Sequence, residues 1–267
     1  MNGFSLWVGL GAVLGLWRLS RSVPVQQAGA WVNNGLLVLV ASLFGARFFY
    51  AAINWAYFSA HPLEVFQIWL GGLEWPGALA GAALAIFCLA YASRARLHRP
   101  LGGRRPPVGW IPIGWVADRL SPMLPPVAIT AWLGSWTSGI AYGSTLPNRA
   151  WWGVPTLDES GMYHWHFPLQ PLAALALLVF YWILEARLKP LHPPGKLSGW
   201  ATFGLLVCLL VVSILRADQT PDWNGFPIDA WFAILYIAFL LSILIANNLL
   251  FRIWKRSSYP NSERSSS

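Results

Sequence analysis

Charged side chains are scarce in this sequence. Asp, Glu, Lys and Arg make up 10% of the 267 residues, and hydrophobic residues make up 56%, whereas a soluble globular domain carries roughly 25% charged residues. This composition excludes an ordinary cytosolic enzyme. The formal net charge of +8 would indicate nucleic-acid binding in a soluble protein, but here the basic residues lie between apolar segments, where a bilayer explains them better. We therefore expect a membrane partner and no nucleic-acid partner.

Potential metal ligands are also few. The two cysteines, Cys88 and Cys208, lie inside apolar runs far from any CxxC spacing, so they indicate neither a disulfide nor a metal site. His164 and His166 are two residues apart and would share one face of an extended segment, but further ligands are missing nearby. The sequence therefore predicts no metal and no cofactor.

Long apolar runs are what the sequence has instead. Seven windows are near the ~20 residues that a helix needs to cross a bilayer. They cover residues 3–19, 31–57, 73–92, 110–142, 169–184 (extended through 188), 197–215 and 230–250. The fourth contains Pro112, Pro122, Pro125 and Pro126. Because proline removes a backbone donor and breaks helices, the predicted fold class is an all-α polytopic membrane protein with seven transmembrane helices and a broken fourth segment.

The basic residues predict an orientation for these spans. With seven spans, 14 of the 18 Lys and Arg residues follow spans one, three, five and seven and lie on one side. The positive-inside rule makes that side the cytoplasm, so the N-terminus is outside and the C-terminus inside. We expect a seven-span membrane domain over residues 1–256 and a disordered, Ser-rich cytoplasmic tail over residues 257–267.

Two ionisable residues in or beside the spans are functional candidates. Arg47 lies mid-way in the second window; it is either a functional group or a buried arginine satisfied by helix-end carbonyls or by Asp118. Glu74 opens the third span beside a glycine cluster that includes Gly72 and Gly77, where a first-turn acid is more usual than a base. Such glycines permit close helix packing or the approach of a ligand.

Several short motifs occur in a fixed order along the chain. They are WVGL at 7–10, GARFFY at 45–50, HPLEVF at 61–66, WLGGLEWPG at 69–77, AWLGSWTSG at 131–139 with YG at 142–143, PLQ at 168–170 and RAD at 216–218. Together they resemble the bacterial prolipoprotein diacylglyceryl transferase family, whose WYGL, GRxGNFxNG, HPxQ and R-x-P-D motifs fall on the corresponding segments. The resemblance implies a seven-spanning protein of the bacterial cytoplasmic (inner) membrane, with its N-terminus outside.

The family resemblance also implies a reaction. A diacylglyceryl group moves from phosphatidylglycerol to the lipobox cysteine of a preprolipoprotein, which forms a thioether and releases glycerol phosphate. Such a reaction needs a base that helps to generate the thiolate. It also needs cations that stabilise the phosphate as it leaves.

Measured against those motifs, the sequence departs at most of the reactive positions. Pro76 stands at the His or Tyr of the glycine motif, and Trp132 at the signature Arg. The other replaced positions are Val8, Ser135, Ser138, Ile140, Phe167, Leu209 and Ser213. The retained residues that the resemblance implies for lipid binding are Arg47, Gly72, Gly77, Gly134, Gly139, Tyr142 and Arg216; Gln170 also remains. The catalytic residues stay undetermined, with Glu74 and Tyr142 as candidates.

Three functional interpretations remain open. The first is a diverged family member that keeps the scaffold and the binding of phospholipid (phosphatidylglycerol) but does not carry out the standard transfer. The second is an active phosphatidylglycerol–prolipoprotein diacylglyceryl transferase with a rearranged site, in which Glu74 or a substrate-assisted step replaces the base. The third is a structural subunit of a larger membrane complex, with other membrane proteins as partners.

Overall fold

The computed structural model is mostly helical. It describes residues 3–67, 71–97, 111–147, 150–157, 162–187, 194–218 and 221–258. The α-helices are α1 (Gly3–Arg21), α2 (Val25–Ile53), α3 (Trp55–Phe58), α4 (Trp75–Leu97), α5 (Ile111–Leu120), α6 (Leu124–Thr137), α7 (Leu169–Arg187), α8 (Lys196–Leu215) and α9 (Ile228–Ser258). The strands are β1 (Val154–Leu157), β2 (Tyr163–His166), β3 (Asp222–Trp223) and β4 (Phe226–Pro227).

Six of the described helices, α1, α2, α4, α7, α8 and α9, are long and apolar enough to cross a membrane. Each coincides with one of the predicted windows. The remaining window, the fourth, contains α5 and α6 joined by a 3₁₀ turn over Ser121–Met123. The helical backbone runs through this turn, but neither half alone is long enough to span. The break lies at Pro122, where a missing N–H makes the regular α-helical hydrogen bond impossible.

Helices α2 and α4 approach each other closely through glycine. A Cβ on Gly77 would lie 2.2 Å from the Gly45 carbonyl oxygen, and one on Gly45 would lie 2.3 Å from the Gly77 oxygen. Farther along, a Cβ on Gly81 would lie 2.2 Å from the Ala41 oxygen. Small residues let backbones meet in this way, which favours dispersion contacts between helices in lipid. The glycine cluster therefore serves close helix packing.

The helices form two connected apolar cores. One lies among α6, α7 and α8, and the other among α1, α2, α4 and α5. Asp118 of α5 joins them, because its carboxylate accepts hydrogen bonds from the Gly195 and Ser198 amides, at 2.7 and 2.8 Å, and from the Ser198 hydroxyl. It thus satisfies free N–H groups at the start of α8. Arg47, for which Asp118 was one possible partner, instead donates from all three guanidinium nitrogens to backbone carbonyls.

Two antiparallel hairpins, which the sequence analysis did not predict, follow α6 and α8. Strand β1 pairs with β2, with Val154 opposite His166, and β3 pairs with β4. Isolated bridges join Gly143 to Arg216 and Thr145 to His166. These contacts bring the segment after α6 against the segment after α8. Of the predicted tail over 257–267, the first two residues end α9 and the rest lies outside the described residues.

Candidate functional site

An ion-pair cluster forms where α8 ends and α9 begins. Arg216 Nε donates to Asp218 Oδ1 at 2.7 Å, and its Nη2 donates to Asp218 Oδ2. The remaining nitrogen, Nη1, donates to Asp229 Oδ2 at 3.0 Å. The side chains of Arg216, Asp218 and Asp229 are 18%, 11% and 16% exposed, respectively. All three guanidinium nitrogens are therefore engaged by carboxylates in a largely water-excluded position, where such bonds are strong.

Asp218 also orders the loop after α6. Asp218 Oδ2 accepts the Ala141 amide at 3.0 Å, and Ala141 has a φ of +58°, a region that residues other than glycine seldom adopt. The Gln170 side chain supports the turn by donating to the Ile140 carbonyl at 2.9 Å. This loop presents Tyr142, which is buried against the ring of His166 with centroids 4.4 Å apart.

Glu74 adds a third carboxylate to this region. It lies one residue before α4, and its amide donates to the Ala46 carbonyl at 3.3 Å. Burial and, to a lesser extent, the negative charge of Asp229 raise the pKa of Glu74 from 4.5 to about 7, and the positive charge of Arg216 partly opposes both effects. A carboxyl with a pKa near neutrality has the proton affinity that a general base or acid needs. Among the described residues, its carboxylate has no hydrogen-bond partner.

Arg47 has its own set of partners. Its Nε, Nη1 and Nη2 donate to the carbonyls of Val65, Gly71 and Glu64 at 3.1, 2.8 and 2.6 Å. The residue is 4% exposed. Of the two alternatives for Arg47, the structure has a buried arginine satisfied by carbonyls. Those carbonyls belong to the segment before α4, so Arg47 holds this segment against α2.

The retained glycines contact protein. Gly72 has a φ of +63° and lies against the Tyr50 ring, where a Cβ would come within 2.4 Å of a ring carbon. Gly77 meets α2, as described above. A Cβ on Gly134 would lie 3.0 Å from the Phe4 ring of α1. Gly139, with a φ of +65°, follows the end of α6.

Two substituted positions belong to the helix packing as well. Trp132, where the family resemblance places the signature Arg, is 8% exposed and lies in the core among α6, α7 and α8. Pro76 takes the place of a His or Tyr and offers only its carbonyl, which accepts the Tyr236 hydroxyl at 2.9 Å. This bond connects α9 to the start of α4.

An open apolar groove of about 260 Å³ begins beside that bond. Phe232, Leu235, Tyr236 and Phe239 of α9 line it. The Phe232 ring contacts Phe49 of α2 at a centroid distance of 4.9 Å. Neither this groove nor Asp229 was predicted from the sequence. The available signal was the spacing of one acid and three aromatic residues along a single helical face.

His164 and His166 lie in an extended segment, although the sequence did not predict a strand here. Both lie in β2, and His166 Nδ1 is 3.1 Å from the His164 carbonyl oxygen. In the part of the chain that the structure describes, no group of three or more His, Cys, Asp or Glu residues could hold a metal ion.

Comparison with known proteins gives one consistent result. The family model of prolipoprotein diacylglyceryl transferase matches residues 1–254. A phosphatidylglycerol–prolipoprotein diacylglyceryl transferase of Nitratidesulfovibrio vulgaris (strain DP4) is 24% identical over 249 residues, covering 78% of this chain and 86% of the relative. The enzyme so named from Lactococcus lactis subsp. cremoris (strain MG1363) is 23% identical over 230 residues, covering 82% and 80%. The one from Bacillus licheniformis is 36% identical over 86 residues, covering 32% of each chain.

Proposed function

The chain belongs to the prolipoprotein diacylglyceryl transferase family, and from this premise we propose that it binds phospholipid without carrying out the standard diacylglyceryl transfer. The protein lies in the bacterial cytoplasmic membrane, as its family does, and six described helices are able to span it. The relatives are named for phosphatidylglycerol as a substrate. We extend phospholipid binding, but not the chemistry, to this chain.

The observation that carries this proposal is the buried position of Trp132. At the position of the signature Arg, an indole in the apolar core can neither hold a phosphate nor stabilise it as it leaves. Arg216 does not compensate, because the carboxylates of Asp218 and Asp229, to which all three of its nitrogens donate, already offset its positive charge. Arg47 is likewise bound to carbonyls.

The implied lipid-binding residues divide into two groups under this proposal. Arg216 and Tyr142 lie at the ion-pair cluster. Arg216 forms its ion pairs, and Tyr142 lies in the loop that Asp218 holds. The remaining ones hold the scaffold: Arg47, Gly72, Gly77, Gly134 and Gly139.

We further propose seven spans, with α5 and α6 together as the fourth, an external N-terminus and an internal C-terminus. This membrane domain would cover residues 1–256 and the cytoplasmic tail residues 257–267. The Phe4 amide donates to Ser138 Oγ at 3.1 Å, so the start of α1 lies beside the end of α6. Arg18 pairs with Glu185, so the ends of α1 and α7 lie together. Span one (α1) and span five (α7) would then run in the same direction, and by alternation span seven (α9) would do so too.

A second candidate is an active transferase with a rearranged site. The matched relatives are named as active enzymes, and Glu74, with its pKa raised to about 7, has the proton affinity of a general base at neutral pH. In this case Glu74 would accept the thiol proton and Tyr142 would help to hold the substrate.

A third candidate, a structural subunit of a membrane complex, would be favoured by stable membrane-protein partners in the purified material.

The deciding experiment is transfer from labelled phosphatidylglycerol to a lipobox peptide by the purified protein, with an active family member as the positive control. We expect phospholipid to co-purify and no thioether product above the blank without enzyme. Product that disappears in Glu74→Gln, but not in Glu64→Gln, would overturn the proposal in favour of the second candidate.

A further inference from the structure

The groove on α9 continues from the acidic cluster. Asp229, Phe232, Tyr236 and Phe239 are spaced by three, four and three residues, which puts them on one face of the helix. The Tyr236 hydroxyl fixes the middle of this face to the Pro76 carbonyl. Helix α9 packs mainly on α8, and the groove remains open. Asp229 lies about one helical turn before Phe232, so a ligand at the Phe232 end of the groove would lie next to the acidic cluster.

The acidic cluster carries more negative than positive groups. Three carboxyl groups, those of Glu74, Asp218 and Asp229, surround the single guanidinium of Arg216. Both aspartates are paired with it, whereas Glu74 has no hydrogen-bond partner among the described residues. Arg216 acts on Glu74 only through its charge, and a partly buried ionisable group without a hydrogen-bond donor is costly in a membrane protein. This position can therefore accommodate a further cation that carries hydrogen-bond donors.

We propose that the groove binds an acyl chain of an amine-bearing phospholipid whose ammonium group lies beside Glu74. An ammonium offers three N–H donors, as the Lys side chain does, and would restore the charge balance of the cluster. The rings of Trp75 and Tyr236, with centroids 6.0 Å apart, lie next to this position. Aromatic faces attract ammonium groups. The inference rests on the phospholipid binding proposed above and names the class of head group.

The position of the groove favours a lipid as its occupant. All of its lining residues belong to the apolar part of α9, Ile228–Ala246, so a ligand enters it from the hydrocarbon region of the bilayer. The lining is aromatic and aliphatic, and Leu235 and Phe239 are 61% and 64% exposed. A head group without an ammonium, such as that of phosphatidylglycerol, brings only further negative charge to the carboxylates. Charge complementarity therefore favours the amine.

The test compares two lipids with identical acyl chains. Delipidated protein in detergent is titrated with dioleoylphosphatidylethanolamine and with dioleoylphosphatidylglycerol, and bound lipid is counted by native mass spectrometry. We expect the amine lipid to bind about fivefold more tightly, as for one partly exposed ion pair. Glu74→Gln should remove this preference. Asp222→Asn, which changes an exposed acid in β3, is the matched control and should retain it, and Leu235→Trp should weaken both lipids by filling the groove.

The possible results separate this inference from the proposed function. Equal affinity for the two lipids, tighter binding of phosphatidylglycerol, or a preference that persists in Glu74→Gln would overturn the choice of an amine lipid and leave phospholipid binding intact. Binding that is insensitive to Leu235→Trp would overturn the groove as the site. Failure of both lipids to bind would overturn the inference together with the phospholipid-binding part of the proposed function.

Discussion

Arg216 and Asp229 connect the last two long helices of the protein across 3.0 Å. Arg216 follows α8 directly, and Asp229 is the second residue of α9. The same guanidinium also holds Asp218, which in turn holds the backbone of Ala141 after α6. A single side chain thus ties three parts of one end of the helix bundle together. Each of its three nitrogens donates one hydrogen bond to a carboxylate.

Replacing this arginine should destabilise the protein strongly. Arg216→Met leaves Asp218 and Asp229 as largely buried, unpaired carboxylates, for which the cost is roughly 3–5 kcal/mol. Thermal unfolding in detergent measures the effect. Arg18→Met is the control, because Arg18 and Glu185 form an exposed pair that should contribute about 0–1 kcal/mol. Similar losses in the two variants would contradict the structural importance of the Arg216 cluster.

Glu74→Gln should stabilise the protein in a pH-dependent way. The pKa of Glu74 is raised from 4.5 to about 7, so the folded protein binds this proton more tightly than the unfolded chain does. The wild type therefore loses stability as pH rises from about 4.5 to about 7, and the glutamine variant does not. We expect the two melting temperatures to agree at low pH and to differ by several degrees above neutrality. A constant difference across this range would refute the burial of an ionisable Glu74.

Closing the contact between α2 and α4 should prevent normal packing. Gly77→Leu places a side chain where even a Cβ would lie 2.2 Å from the Gly45 carbonyl oxygen. The oxygen belongs to the backbone of α2 and the new Cβ is attached to the backbone of α4, so the clash is relieved only if the helices move apart. We expect loss of folded protein, or a destabilisation of about 3 kcal/mol or more as overpacking costs accumulate. Gly29→Leu is the control, since nothing lies within 4 Å of its Cβ position. Equal yields and melting temperatures would count against the close approach of the two helices.

Removing the Asp118 carboxylate, which caps the start of α8 from α5, should lower the stability of the protein moderately. Asp118→Ala deletes the carboxylate that accepts three hydrogen bonds at the start of α8, and losing an N-terminal cap costs about 0.5–2 kcal/mol. Asp118→Asn, which keeps one acceptor oxygen, should lose less. Hydrogen exchange of the first-turn amides of α8 would report the change locally. Unchanged exchange in Asp118→Ala would show that other groups cap this helix.

The apolar windows predicted most of the fold because each long helix is a nearly uninterrupted apolar run. Boundaries were less certain: α2 begins at Val25 rather than residue 31, since Gln26 and Gln27 hide its start from a hydropathy reading. The two hairpins were not predicted, because strands of two to four residues are too short to show a recognisable alternation of apolar and polar side chains.

The site was predictable only in its parts. The sequence singled out Arg47, Glu74 and Arg216, but their partners depend on contacts between distant helices. Arg47 could have bound a ligand, a carboxylate or carbonyls, and only the packed structure distinguishes these. The pairing of Arg216 with Asp229 requires the turn formed by β3 and β4, which was not predicted.

We propose that this chain keeps the family scaffold without the transfer chemistry. Complementation in a living bacterium tests this most directly. This chain and an active family member are expressed at equal membrane levels in cells whose own diacylglyceryl transferase is depleted, and lipidation of a reporter prolipoprotein is measured. We expect a lipidated reporter with the active relative and only unmodified precursor with this chain. Lipidated reporter formed by this chain would overturn the proposed loss of transfer in favour of an active transferase with a rearranged site.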